Sequence, residues 1–298
     1  MNPFTPEGFW NKAVLFLNRA TEPTENRSED ERRLWASFAL EQTAKWALAE
    51  ISPALVVDPV NDGGNQLLYA LNLKEASRPV TAPAKTIFDR CSKIFRPFNV
   101  GEAKKVAAAR NDYLHGPGMD IVRLPEKVWW PKFWSLMNIL LTSRDRSFED
   151  LVDYSCAAQI ATELERNEWL IAEEFEARIT AAETRLRRIK TGAMTTAEVS
   201  GLQQRARLAP IFTYAAEAIC PVCERVGSVG ADDEIGREVV WESEGPVVEV
   251  SFYPDYFYCS YCLLTLDRYE LIELSDLNEE FLTVDDPAPY DLAEYGND

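Results

Sequence analysis

The sequence predicts a mainly α-helical protein, with an N-terminal helical bundle and a helical extension followed by a small β-rich module. Apolar residues recur about every 3.6 positions between residues 29 and 51, as on the buried face of a helix. After Ile219 the pattern changes to alternation, which is typical of strands, and two Cys-x-x-Cys pairs fall in that region. Four segments are therefore expected: a bundle over 1–145, a helical extension or arm over 146–209, a cysteine-bearing module over 210–275 and an acidic tail over 276–298.

Local start signals position the first two helices. Thr5 followed by Pro6 predicts an N-cap and the first residue of a short helix. Ser28 and Glu31 predict a capping box in front of a second helix, from about 29 to 51, in which each side chain bonds the other residue's backbone N–H. A Ser-Pro pair then ends this helix, because the residue before a proline disfavours helical geometry. Its apolar face is expected to be buried.

The most informative helix is predicted over residues 101–115, where it is stopped by a Gly-Pro-Gly sequence that cannot continue an α-helix. Its last residue, His115, is the only histidine among the 298 residues. Arg110 precedes His115 by five positions, and Asn111 lies one helical turn before it on the same face. Taken singly, these residues indicate only a histidine that interacts with the helix dipole, a solvated arginine and a locally bonded asparagine.

Together, this order resembles the R-x4-H signature, commonly R-N-x-x-x-H, of the HEPN superfamily (higher eukaryotes and prokaryotes nucleotide-binding domain). The preceding helix carries Glu41 and Lys45 as E-x-x-x-K, which alone indicates a surface ion pair worth about 0.2 to 0.5 kcal/mol. The same pair accompanies R-x4-H in parts of the superfamily, close to the active cleft. The resemblance therefore implies an HEPN-like helical domain, a homodimer with facing motifs, and metal-independent RNA cleavage that leaves 2',3'-cyclic phosphate ends.

Metal-independent RNA cleavage requires a group that transfers a proton and a cation that stabilises developing negative charge. His115 and Arg110 have these chemical properties. By resemblance, Asn111 orients His115 or the phosphate, and Glu41 and Lys45 are supporting polar groups.

Four of the six cysteines form two Cys-x2-Cys pairs, Cys220 with Cys223 and Cys259 with Cys262, separated by 35 residues. Two such knuckles complete a tetrahedral four-thiolate site for Zn²⁺. The linker alternates as two strands around residues 244–246, so a hairpin is expected to bring the knuckles together. This looks like a zinc ribbon with one structural Zn²⁺ per chain. We expect no cofactor for catalysis, because four thiolates leave the metal no open position.

The tryptophans of the sequence that follows the Gly-Pro-Gly stop could stack on RNA bases, but such residues are more often buried in a core or dimer interface. We therefore predict that Trp129, Trp130 and Trp134 are buried. The remaining cysteines, Cys91 and Cys156, lack a partner nearby in the sequence and are also expected in the core.

Another helix is predicted to begin at Ser147, where Asp150 completes a capping box, and to reach Lys190 with or without a break. Its second half carries only a narrow apolar stripe, which suits an arm or hairpin that leaves the main body. Thr195 and Glu198 are expected to cap the return helix.

The net charge of −18 is concentrated at the C-terminal end of the chain. Residues 208–298 contain three basic and 21 acidic residues, so the preceding residues carry no net charge. This change predicts a domain boundary near Pro210. Between Arg178 and Arg207 there are seven basic residues against two acidic ones, which indicates a solvated face or, alternatively, a contact with RNA phosphates. The tail, with eight acidic and no basic residues, is predicted to form a short helix and then a partly disordered end.

Two functions remain open from the sequence. The first is an RNA endonuclease with a toxin or antiviral defence role, which is carried over from the superfamily. The second is a non-catalytic HEPN-like and zinc-ribbon module for protein interaction or regulation, in which the ribbon recruits another protein; the acidic C-terminal part, unsuited to RNA, favours it. A regulatory or antitoxin protein is the expected partner of that acidic part. We expect a cytoplasmic protein without a membrane segment, because no run of eighteen apolar residues occurs and the N-terminal sequence lacks the features of a signal peptide.

Overall fold

A computed structural model of the protein describes residues 2–21, 27–75, 77–206, 211–242 and 245–285. The described residues are mainly α-helical with a β-rich C-terminal part, which confirms the predicted fold class. The chain divides into two compact units, Met1–Glu168 and Trp169–Asp298, here called the helical unit and the β-rich unit. The expectations for Arg207, Pro210, Glu244 and residues 286–298 lie outside the described residues.

The second helix contributes many of the buried residues in the core of the helical unit. The predicted second helix has the expected bounds, and Ala39, Leu40, Ala44, Ala47 and Leu48 on it are fully buried. The alanines among them have small side chains, which allow the neighbouring helices to approach closely. The α-helices of this unit are α1 (Pro6–Thr21), α2 (Glu29–Ile51), α3 (Asn65–Ala70), α4 (Ala84–Ile94), α5 (Val100–His115), α6 (Glu126–Thr142) and the first part of α7 (Tyr154–Lys190).

The capping box predicted at the start of α2 is wrong. Ser28 occupies the N-cap position, but its side chain makes no capping hydrogen bond. Its hydroxyl instead bonds the carboxylate of Asp30, and this bond, together with one from Tyr113, lowers the pKa of Asp30. Glu31 accepts a hydrogen bond from the Trp35 indole at 3.2 Å. Nearby side chains therefore compete successfully for the two groups that the sequence pattern assigns to the cap.

The predicted motif helix is α5, and it ends at His115 as expected. The amide of Gly116 donates to the carbonyl of Asp112 at 2.7 Å, which closes the last turn. A Cβ atom added at Gly116 or Gly118 would overlap the carboxylate of Asp112, so both glycines make room for that side chain. The Gly-Pro-Gly sequence therefore stops the helix and also accommodates an acidic group beneath the turn.

The tryptophans of α6 belong to the core, as predicted. Trp129, Trp130 and Trp134 are buried, and the rings of Trp129 and Phe133 stack 5.3 Å apart between centroids. Buried rings have no face free for a base, so the alternative of base stacking is not supported. Cys91 is fully buried, and burial raises the pKa of its thiol.

Cys156 is only half-buried, contrary to the prediction that it lies in the core. It is in the first turn of α7, which begins at Tyr154. The capping box of Ser147 and Asp150 is present, but it caps a short 3-10 helix, Phe148–Asp150, that precedes α7. The start of α7 is therefore later than the capping pattern suggests, and this places Cys156 in the first turn of the helix and partly in solvent.

The β-rich unit contains two antiparallel sheets. The four-stranded sheet has the order β1-β2-β5-β6 and the three-stranded sheet the order β3-β4-β7. The strands are β1 (Tyr214–Ile219), β2 (Val226–Ala231), β3 (Gly236–Glu242), β4 (Gly245–Phe252), β5 (Tyr256–Tyr258), β6 (Thr265–Leu266) and β7 (Phe281–Asp285), with two helices, α8 (Thr196–Ala206) and α9 (Tyr269–Glu273).

The predicted hairpin exists, but it does not bring the cysteine knuckles together. It is formed by β3 and β4, which belong to the three-stranded sheet. The knuckles are joined by the pairing of β2 with β5, for example Val229 opposite Phe257, in the four-stranded sheet. The β3–β4 hairpin is therefore an insertion in the sequence between β2 and β5, which pair directly with each other. This insertion explains the long spacing between the two cysteine pairs.

The second half of α7 packs within the β-rich unit. Its narrow apolar stripe, which includes Phe175, Ile179 and Ala182, joins a core with Phe257 and Leu264. The division between the units falls inside α7, whereas an extension over 146–209 was expected from the sequence. The helix is unbroken to Lys190, and the predicted box of Thr195 and Glu198 caps α8.

Part of the basic stretch that begins at Arg178 is engaged within the protein. Arg178 forms ion pairs with Glu174 at 2.6 Å and Asp267 at 2.9 Å. Arg188 forms an ion pair with Glu198 at 2.6 Å. Paired guanidinium groups are less available to phosphates, so these contacts weaken the interpretation of the stretch as an RNA-binding surface.

The described part of the acidic tail, residues 276–285, contains a strand and no helix, so the predicted short helix is not found there. Residues Phe281–Asp285 form β7, which pairs with β4. Asp285 at its end forms an ion pair with Arg237 at 3.1 Å. Phe281 lies opposite Phe252 and packs against the core, and this burial favours the strand over a helix of similar composition.

Candidate functional site

The two polar motifs of the helical unit meet although they are far apart in sequence. Arg110 Nη1 on α5 donates to Glu41 Oε2 on α2 at 2.5 Å. Lys45 Nζ donates to the other oxygen, Glu41 Oε1, at 2.6 Å. The Arg110 side chain also donates from Nε and Nη2 to Asn111 Oδ1, at 3.3 and 3.2 Å. Four of the five predicted site residues therefore form one hydrogen-bonded cluster.

This cluster is largely removed from solvent. Arg110 is 7% exposed and Lys45 is 6% exposed. The guanidinium of Arg110 also lies over the Phe38 ring, 5.1 Å from its centroid. Burial alone raises the pKa of Glu41, but the charges and hydrogen bonds of Lys45 and Arg110 outweigh it, so the pKa is lowered. Glu41 is therefore a carboxylate at neutral pH, and with two facing cations the three groups carry a net positive charge.

His115 follows the cluster residues Arg110 and Asn111 at the end of α5. It is exposed, as is Asn111, which stands one helical turn before it on the same face of α5. Within the described residues, the imidazole of His115 forms no side-chain hydrogen bond or ion pair. Asn111 therefore connects the buried cluster to the surface, and the imidazole is available to a solute.

Several residues that the sequence patterns did not identify hold α5 and the following loop. Arg33 on α2 is 1% exposed, and its Nη1 donates to the carbonyls of Ile121 at 3.0 Å and Leu124 at 2.8 Å. Tyr113 on α5 donates its hydroxyl to Asp30 Oδ2 at 2.6 Å, and this bond raises the pKa of Tyr113. Their partners are more than eighty positions away, so no local signal in the sequence predicts these contacts.

The four cysteines of the two pairs form a compact cluster in the β-rich unit. All four Sγ atoms lie within 4.8 Å of one another, with Cys220 and Cys262 3.6 Å apart and Cys223 and Cys259 3.5 Å apart. Tetrahedral ligands at about 2.3 Å from a zinc ion stand about 3.8 Å from each other. The spacing and the thiol donors therefore fit a four-coordinate metal ion.

The two knuckles have matching backbone geometry. In the first, the amide of Glu224 donates to the carbonyl of Cys220 at 3.0 Å, and in the second, Leu263 donates to Cys259 at 2.9 Å. Both donors have positive φ, 59° and 56°. Backbone hydrogen bonds from Val222 and Cys223 also reach the Cys220 sulfur, and those from Tyr261 and Cys262 reach the Cys259 sulfur. Each turn thus directs amides at its first thiol, which favours the thiolate that a metal requires.

The thiols also perturb one another and are supported from α7. Hydrogen bonds among the thiols lower the pKa of Cys259 and raise the pKa of Cys220 and Cys262. Arg185 on α7 donates from Nε to the carbonyl of Cys262 at 2.8 Å and from Nη2 to that of Leu263 at 3.1 Å. The second knuckle is therefore held by a helix whose role the sequence analysis did not identify.

Comparison with known proteins does not assign the chain to a family. No helix in the described ranges has the length and apolar character needed to cross a bilayer. No protein-family model, no curated protein and no solved structure matches this chain.

Proposed function

We propose that the protein is a metal-independent RNA endonuclease of HEPN type. The observation that carries the proposal is the contact between the two motifs, Arg110 with Glu41 at 2.5 Å, across 69 positions of sequence. The resemblance implies that these two motifs lie together near the active cleft, and their contact supports that expectation. Together with His115 they provide the groups that this chemistry needs, an exposed imidazole and a held guanidinium five positions before it on the same helix.

The reaction divides between these groups. A base takes the proton of the 2'-OH, the 2'-oxygen bonds to the adjacent phosphorus, and the bond from phosphorus to the 5'-oxygen breaks. The 5'-oxygen then receives a proton from an acid, which leaves a 2',3'-cyclic phosphate and a 5'-OH. His115 is the proposed proton-transfer group, because imidazole both accepts and donates a proton near neutral pH. Arg110, held by Glu41 and Asn111, stabilises the negative charge that develops on the phosphorus oxygens.

The need for two proton transfers supports a homodimer. Each chain has a single histidine, so a mechanism with one imidazole as base and another as acid needs two copies. A composite cleft formed by two α5 motifs supplies both. The exposure of His115 at the end of α5 is compatible with this arrangement.

The metal centre has a structural role in the proposal. Cys220, Cys223, Cys259 and Cys262 would hold one Zn²⁺ per chain, as in a zinc ribbon. Bound there, the ion supplies a cross-link between two hairpins of the β-rich unit. All four donors are thiols, so the centre has no position for a reacting water and the proposed cleavage uses no metal.

The biological setting in the proposal is a cytoplasmic toxin or antiviral defence enzyme that acts on RNA. The β-rich unit contains most of the acidic excess, which disfavours contact with RNA and favours a basic protein. A regulatory or antitoxin protein is therefore the proposed partner of this unit.

A non-catalytic scaffold is the second candidate, and one observation favours it. Arg110 is 7% exposed and already donates to Glu41 and Asn111, as expected of a residue that joins two helices. In this case the helical unit would position a metal-bound module that binds another protein. Substitution of His115 would then have no consequence for function.

Incubation of the purified protein with total RNA in EDTA, followed by sequencing of the ends, tests the proposal. We expect 2',3'-cyclic phosphate ends that are absent with His115→Ala and retained with Lys105→Ala, an exposed control on the same helix. Arg110→Ala is a weaker test, because it also removes a buried ion pair and destabilises the unit. Cleavage that requires added Mg²⁺, or that survives His115→Ala, would contradict the mechanism.

A further inference from the structure

A groove on the β-rich unit exposes apolar side chains beside the first knuckle. Its volume is about 530 Å³. Ile219 and Val226 line it, and they face each other as the last pair of β1 and β2. These side chains are 59% and 53% exposed, although their strands belong to a packed sheet. Phe281 and Leu277 continue the apolar lining toward the start of β7.

The same groove is lined by acidic side chains and by no basic one. Glu217 lies two positions before Ile219 and so shares its face of β1. Asp276 and Glu279 line the groove from the segment before β7. Among the described residues, none of these three carboxylates forms an ion pair. The groove therefore combines an exposed apolar surface with three uncompensated negative charges.

The neighbouring cation does not neutralise this site. Arg225 immediately precedes Val226 in sequence, but it does not line the groove. Its guanidinium lies over the Tyr261 ring, 3.5 Å from the centroid, and so is directed toward the second knuckle. The negative potential of the groove is thus retained.

We propose that this groove binds a segment of a partner protein in which an apolar side chain is flanked by lysine or arginine. Burial of the partner's apolar side chain against Ile219 and Val226 supplies affinity, and its cations pair with the groove carboxylates. RNA does not fit, because its phosphates meet three carboxylates. The acidic C-terminal part of a second copy does not fit either, because residues 208–298 hold three basic residues against 21 acidic ones. The inference rests on the proposed partner role of the acidic part and is independent of RNA cleavage.

Fluorescence anisotropy with a labelled peptide and the full-length, metal-loaded protein tests the inference. The probe is a short synthetic peptide in which leucine alternates with lysine and arginine, and its comparison peptide has glutamate in place of every basic residue. We expect binding of the basic peptide only. Ile219→Asn should weaken it about tenfold, as loss of a buried aliphatic contact does, and Glu279→Gln should weaken it about threefold.

Matched controls separate the groove from the general acidity of the unit. Ile235→Asn alters an exposed aliphatic residue, and Glu238→Gln alters an exposed acidic residue. Neither residue lines the groove. We expect both controls to bind the basic peptide as the wild type does, with circular dichroism of all variants unchanged. The inference is overturned if the basic peptide does not bind, if the acidic peptide binds equally, or if the controls weaken binding as much as the groove variants. RNA cleavage is not part of this readout, so failure of the nuclease proposal leaves the result interpretable.

Discussion

Glu41→Gln tests the buried polar cluster that connects α2 and α5. The substitution preserves the size of the side chain but removes the charge that faces Lys45 and Arg110. Their side chains are 7% and 8% exposed, so water cannot replace the lost carboxylate. Breaking a buried ion pair by removal of one partner costs about 3 to 5 kcal/mol. Because the glutamine oxygen still accepts one of the hydrogen bonds, we expect a loss of about 3 kcal/mol, at the lower end of that range.

Such a loss is measurable in the helical unit. For a unit of this size, about 3 kcal/mol corresponds to a decrease in melting temperature of about 6 to 12 °C. Tryptophan fluorescence mainly reports the unfolding of the helical unit, because six of the eight tryptophans lie in residues 1–168. Asp120→Asn is the control, since Asp120 pairs with Arg123 at the surface of the same unit and its loss should leave the transition unchanged.

The pH dependence provides an independent check. The pKa of Glu41 in the folded protein is lowered from its ordinary value of 4.5. A lowered pKa contributes stability that is present above the ordinary value and is lost as the pH falls through the folded value. The difference between wild type and Glu41→Gln should therefore be full at neutral pH and narrow below pH 4.5. An unchanged melting temperature at neutral pH, or a difference that does not narrow in acid, would refute the assignment of a buried ionised cluster.

Three further predictions concern other parts of the protein. Cys262→Ser should reduce bound zinc below the one equivalent per chain expected of the wild type, as measured by elemental analysis, and should unfold the four-stranded sheet. Iron in place of zinc in the wild type would contradict the assignment of the metal. Gly118→Ala should lower the melting temperature because its Cβ overlaps Asp112, and Asp112→Ala should restore part of the loss. Arg185→Met should cost about 1.5 to 3 kcal/mol in the β-rich unit and speed zinc loss to a chelator, because two knuckle carbonyls lose a charged donor.

The sequence predicted those features that depend on local patterns. The bounds of α2 and the end of α5 follow from helical periodicity and from residues that cannot continue a helix. The four cysteines were identified because a Cys-x-x-Cys turn positions two thiols without help from the rest of the chain. The contact of Glu41 with Arg110 was expected only through the family resemblance.

Features that depend on distant partners were not predictable from these patterns. The narrow stripe of α7 suggested an arm or hairpin that leaves the main body, because its partners Phe257 and Leu264 lie much later in the chain. The segment of β7 was expected to be helical from its composition, but it is a strand because it pairs with β4. The burial of Arg33 was not predictable because two of its acceptors, the carbonyls of Ile121 and Leu124, are backbone groups that every residue type supplies.

The most direct test of the central claim is cleavage of RNA in EDTA by wild type and His115→Ala, assayed with and without added free imidazole. His115 is the single histidine and is exposed at the end of α5, so its substitution should leave the melting temperature unchanged. We predict cleavage by the wild type, none by the variant, and partial recovery when free imidazole supplies the missing proton-transfer group. Equal cleavage by both proteins, or none by a folded, zinc-loaded wild type with any RNA fraction, would contradict the claim.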